Sequence, residues 1–172
     1  MSALELAQSL IKIKSISPED GGCFDLIEAE LTPLGFQIEK IPELNCETLL
    51  AKYGDSGKVF CYLGHTDVVP SGPEDEWTSP PFEANIVEGE LIGRGAADMK
   101  GSVAVFLLTL PLQYLPRKGV MSIHLLGLRE QHQYAQDSKI PFLNRRTWLI
   151  AFHNSAQEFS LFENPRELTQ PL

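Results

Sequence analysis

The chain has 172 residues, 43% of them hydrophobic, which is enough for one globular domain with a core of its own. Its formal net charge of −9 excludes the basic face that nucleic acid or an anionic membrane would require. The acids concentrate before residue 118, and the last third of the chain is close to neutral and reads as a different kind of sequence.

Met1-Ser2-Ala3-Leu4-Glu5 has no basic run and opens no long apolar stretch, so no signal peptide is expected. No apolar run approaches the roughly 20 residues of a membrane span. Cys23, Cys46 and Cys61 are scattered without CxxC spacing, the pattern of buried, reduced thiols in a cytoplasmic protein.

In chain order, residues 3–14 have the period of an amphipathic helix through Leu4, Ala7, Leu10, Ile11 and Lys14, with Ser2 as N-cap. Ser17-Pro18-Glu19-Asp20-Gly21-Gly22 breaks it. A second helix is expected over about 23–34, with Leu26, Ile27, Glu30, Leu31 and Leu34 on one side and Gly35 closing it. The period then shortens. Residues 36–41, 48–53 and 58–63 read as strands, the third apolar enough to be central. Residues 70–81 form a Pro/Gly/acid loop, and Phe82 to Gly95 reads as a hairpin turning at Glu88-Gly89. Residues 99–110 read as a buried helix stopped by Pro111, and 120–126 as one more strand. The order of elements predicts an α/β sandwich with a mixed sheet, in three α/β/α layers.

The third strand ends at Gly64, and His65 and Asp67 come directly after it. Ligands gather beyond the carboxyl ends of strands in open α/β sheets. Residues i and i+2 of extended chain point the same way. His65 and Asp67 can therefore be a metal ligand with its orienting carboxylate, or a His–Asp pair that holds no metal. Asp98 comes after Gly95-Ala96-Ala97 and opens the third helix, where it can be a helix N-cap or a rigidly held metal ligand. Trp77, Pro80, Pro81 and Phe82 read as a loop clasp, and Glu74, Asp75 and Glu76 as a solvated acidic rim.

Taken together, these stretches resemble the M20 metallopeptidase family, in particular its desuccinylase branch. The resemblance is carried by Gly64-His65-Thr66-Asp67-Val68-Val69-Pro70, by Trp77 with Pro80-Pro81-Phe82, and by Glu88-Gly89 through Gly93-Arg94-Gly95-Ala96-Ala97-Asp98-Met99-Lys100-Gly101. Ser15-Ile16-Ser17-Pro18-Glu19-Asp20-Gly21-Gly22-Cys23 resembles the family's first loop, and the likeness runs over about residues 3–126. It implies part of a zinc-exopeptidase-like catalytic domain and a hydrolase using two zinc or cobalt ions. His65 would ligate one metal and Asp98 would bridge both. Asp67 would orient His65 and act in catalysis, and the Asp98–Met99 peptide would be cis. The implied substrate is a small succinylated amino acid, N-succinyl-LL-2,6-diaminopimelate, cut to succinate and LL-2,6-diaminopimelate in lysine biosynthesis. The other M20 amidases, such as acetylornithine deacetylases and aminoacylases, and a non-catalytic interaction module stand as alternatives.

The family's acidic pair falls at Gly127-Leu128-Arg129-Glu130-Gln131. Glu130 would be the general base, but Arg129 replaces its neighbour and would be repelled by a dinuclear cation site. From about residue 127 the family pattern is lost. His124, His132 and His153 match no family ligand, and the implied dimerisation domain has no counterpart. The expected division is therefore residues 1–126 as the N-terminal half of a catalytic domain and 127–172 as a divergent tail. That is the pattern of a truncated or frameshifted product, with an incomplete metal site.

Overall fold

A computed structural model describes residues 1–43, 46–56, 59–114, 120–125, 147–152 and 159–162. Helix α1 spans Ala3–Lys12. Ser2 and Glu5 close a capping box at its start, each side chain taking the other's backbone N–H. Its inward face is Leu6, Ala7, Leu10 and Ile11, all buried, whereas Leu4 is exposed. The expected stripe is thus right at Ala7, Leu10 and Ile11 but not at Leu4, and Lys14 lies exposed beyond the helix end.

Helix α2 spans Cys23–Leu31 and gives way to a 3-10 turn at Thr32–Leu34. Pro33 cannot donate the backbone bond that would continue an α-helix, so the single expected helix becomes two pieces. Gly35, at φ 88, ends the turn in a left-handed conformation that a side chain would disfavour.

The strands are β1 (Gln37–Glu43), β2 (Cys46–Tyr53), β3 (Val59–Gly64), β4 (Asn85–Val87), β5 (Glu90–Ile92), β6 (Val120–Leu125), β7 (Thr147–Phe152) and β8 (Phe159–Phe162). Six of them form one sheet in the order β1-β2-β6-β3-β7-β8. β3 runs parallel to both its neighbours, β6 and β7, while β1–β2, β2–β6 and β7–β8 are antiparallel. The sheet is therefore mixed, as the pattern of elements predicts. β4 and β5 make a separate hairpin whose turn residues Glu88 and Gly89 both have positive φ, the conformation a two-residue hairpin loop prefers.

Helix α3 spans Gly101–Tyr114. It starts two residues later than its sequence suggests and runs on through Pro111 to Tyr114. One core joins α1, α2 and α3 to a single face of the sheet. It is built from Leu6, Leu10, Ile27, Leu31, Val103 and Leu107 against Leu49, Ala51, Tyr62, Ile123 and Leu125. Phe106 stacks on Tyr62 with centroids 3.6 Å apart. On the opposite face of β3, Cys61 and Leu63 are buried as well, so β3 is enclosed on both sides. No described helix is long and apolar enough to cross a membrane.

Candidate metal centre

The carboxyl end of β3 delivers His65, Thr66 and Asp67 into the interior, where none is more than 3% exposed. The Nδ1 atom of His65 lies 2.9 Å from the carbonyl oxygen of Asp67. A carbonyl can only accept, so the hydrogen of that bond sits on Nδ1. This tautomer leaves the Nε2 lone pair free to bind a cation. The Asp67 carboxylate stands 3.6 Å from Nδ1. The acceptor that fixes the ring is thus the backbone carbonyl of Asp67, a contact that side-chain spacing does not reveal.

Nε2 faces Asp98. Its distance to Oδ1 is 3.2 Å, and the Asp98 side chain keeps 44% of its surface open. Asp98 lies in a turn over Ala96–Lys100 with extended dihedrals, φ −130 and ψ 96, and its peptide to Met99 is cis, as the resemblance implies. Helix α3 begins only at Gly101, so Asp98 is not its N-cap. Gly95 enters the turn at φ 86, and Lys100 N–H closes it on Gly95 O at 2.8 Å. A side chain at Gly64 would come within 3.0 Å of the Met99 side chain, so glycine there lets the two segments close on each other.

The donor set suits a divalent cation. Nε2 and Oδ1 are 3.2 Å apart, close to the ~3.4 Å edge of a tetrahedron with bonds of about 2.0–2.1 Å to zinc. The pair is one imidazole and one carboxylate, the latter 44% exposed. Among the described residues no cluster of three or more His, Cys, Asp or Glu side chains converges on a metal position. Glu130, the base implied by the resemblance, lies outside the described residues, as do Arg129, His132 and His153.

The loop beside the site is held by a clasp. Ser71 O accepts from Trp77 Nε1 at 3.0 Å and from Arg94 Nη2 at 3.1 Å, and the Arg94 guanidinium lies 5.0 Å from the Trp77 ring centre. Trp77 therefore serves the loop, while Glu74, Asp75 and Glu76 are exposed. The residue without a sequence-derived role is Lys100. It is fully buried, and its Nζ donates to Leu10 O and Ile13 O at 2.8 Å each. A lysine in a glycine- and alanine-rich motif was the only signal available.

Residues 61–127 match the model of Peptidase family M20/M25/M40. The chain is 51% identical over 107 residues to a succinyl-diaminopimelate desuccinylase of Alkalilimnicola ehrlichii, covering 62% of this chain and 28% of that protein. It is 52% identical over 105 residues to one of Pseudoalteromonas atlantica, covering 61% and 28%. The matched region thus spans little more than a quarter of the length of these relatives. Among solved structures it superposes on an M20 family metallo-carboxypeptidase of Sulfolobus solfataricus with a TM-score of 0.70 at 20% identity, covering 87% of this chain and 37% of that one. Human carnosine dipeptidase 1 gives 0.65 at 20% identity, covering 80% and 35%. These structures share the α/β fold. The segment that carries His65 and Asp98 is thus similar in sequence to peptidase family M20/M25/M40.

Proposed function

We propose that this chain contributes the His65 and Asp98 part of a divalent-metal centre in an amide hydrolase, and that the bond cleaved is the succinyl amide of N-succinyl-LL-2,6-diaminopimelate. The observation that carries the reading is the 3.2 Å approach of His65 Nε2 to Asp98 Oδ1 at the carboxyl end of β3. Zinc or cobalt would be held by these two side chains and would act as a Lewis acid toward the amide carbonyl. The chain's own residues prepare the place. The Asp67 carbonyl holds the His65 tautomer, burial keeps that ring dry, and the Asp98 side chain keeps 44% of its surface exposed. Glu130 is the candidate base, taking a proton from water and returning it to the leaving amine, and this role rests on the resemblance alone. The relatives' activity as desuccinylases supports the succinyl substrate over an acetyl one.

A chimera tests this. The matched quarter of the Alkalilimnicola ehrlichii enzyme is replaced by the 107 matched residues of this chain, and succinate release is assayed with zinc or cobalt supplied. Activity is expected, with a loss of at least ~100-fold in His65→Ala and Asp98→Ala. A chimera that prefers an N-acetyl substrate would shift the assignment to another M20 amidase. The chain by itself is expected to retain little zinc after dialysis; elemental analysis near the two ions of a dinuclear site would overturn the view that it holds only part of one.

A further inference from the structure

His65 and Asp98 sit on different segments, and no strand or helix contains both. Their separation has to be set by something that touches each segment. The stretch from Leu10 to Ser17 does so.

On one side, Lys100 reaches from the Asp98 turn into the carboxyl end of α1. Its Nζ donates to Leu10 O and Ile13 O, both at 2.8 Å. A cation is favoured there because the last carbonyls of a helix carry its partial negative charge. On the other side, Ser15 Oγ donates to Thr66 O at 2.7 Å. Val68 N–H donates to Ser15 O at 2.8 Å and Ser17 N–H to Val68 O at 3.0 Å, so Ile16 pairs with Val68 as a short parallel bridge. Both grips are buried, with Ser15, Thr66 and Lys100 each at 1% exposed or less. The two gripped segments also meet directly at Gly95. A side chain there would approach Val68 Cγ1 at 2.7 Å and Lys100 Cδ at 3.2 Å.

We propose that residues 10–17 form a strut that fixes the distance between His65 and Asp98, with Lys100 and Ser15 as its positioning residues. Neither side chain touches the metal position. Lys100 anchors the turn that carries Asp98, and Ser15 anchors the backbone between His65 and Asp67. The consequence for the metal rests on the metal-centre reading above, whereas the mechanical coupling does not.

The experiment uses the full chain and three variants, Lys100→Met, Ser15→Ala and Leu107→Ala. The last opens a cavity in the core beneath α3, removes neither grip, and reports general destabilisation. Cobalt(II) is titrated and followed by its visible absorption. Lys100→Met and Ser15→Ala are each expected to weaken cobalt binding roughly tenfold, the size seen when a supporting partner of a metal ligand is lost. Leu107→Ala should lower the melting temperature and leave cobalt affinity within about twofold, because it leaves both grips in place. In parallel, amide hydrogen exchange is measured without metal and referenced to Tyr62 in β3. Lys100→Met should speed exchange at Val68, on the other gripped segment, and Ser15→Ala should speed exchange at Lys100. Effects confined to each variant's own segment would overturn the strut. If Lys100→Met does not fold, Ser15→Ala, which removes one hydroxyl, decides alone. If the native chain takes up no cobalt, as a site holding only part of its ligands would, the exchange data decide the coupling.

Discussion

At Asp20, burial and hydrogen bonding pull in opposite directions. The carboxylate accepts from Gly22 N–H at 2.9 Å and Phe24 N–H at 3.1 Å, and more distantly from Thr66 Oγ1 at 3.4 Å. These bonds cap α2 and favour the ionised form. Loss of water outweighs them, and the carboxyl is raised above the ordinary aspartate value of 3.8. A carboxyl raised by folding stabilises the folded state fully below its unfolded value, and that contribution fades as pH rises through the folded value. Melting temperatures of the native chain and Asp20→Asn are therefore expected to diverge with pH. From 3.8 upward the native chain should lose ground to the variant, which has no such titration. A difference that stays constant from about pH 3.5 to 7 would contradict this. His65 and Asp98 were legible as candidates because their residue types and their places at a strand end and a turn suggest ligands. Lys100 was not, since the general rule places lysine outside and only the packed structure shows two carbonyls waiting for it.

Among the described elements, the turn from Gly95 to Gly101 is closely packed at both ends. Gly101 has ordinary helical dihedrals, so backbone freedom is not why glycine stands there. A Cβ at Gly101 would collide with the Ala96 carbonyl oxygen. Gly101→Ala should therefore push the Asp98 turn away from α3 and lower stability by about 1–3 kcal/mol, the usual cost of overpacking. Urea denaturation reads this directly, and an unchanged midpoint would refute the steric account. The same turn shows where periodicity stops being informative. Residues 99–110 have a helical pattern, but Met99 and Lys100 belong to the turn and only Gly101 onward is helix. The two buried side chains look like the first turn of the helical stripe because both elements face the same core. For α1 and the β4–β5 hairpin, by contrast, local chemistry settles the outcome. A capping box starts one, and a Glu-Gly pair with positive φ turns the other.

For the whole molecule, burial of β3 on both faces governs its cysteine. Cys61 is 1% exposed, and burial pushes its thiol up to about 12. Cys23 is fully buried and is raised as well, again by loss of water. Both are free thiols, as their spacing suggests. At pH near 8 neither should react with iodoacetamide until the chain is unfolded, because the thiolate is the reactive form. Peptide mapping by mass spectrometry checks this, and labelling of Cys61 in the folded chain would show that β3 opens to solvent. Strand existence was legible from composition at β1, β2, β3 and β6. Strand order was not, because periodicity says which side of a strand is apolar and nothing about which neighbour it takes. That order has a consequence for synthesis. β6 lies between β2 and β3, so the β1–β2 hairpin and the strand that carries the site cannot join one sheet until residues 120–125 have been made. A ribosome that has released the chain only as far as Gly64 holds a hairpin and a lone apolar strand with both edges bare. The carboxyl end of β3 thus stays unpaired until then, and in that interval it depends on whatever shields nascent chains.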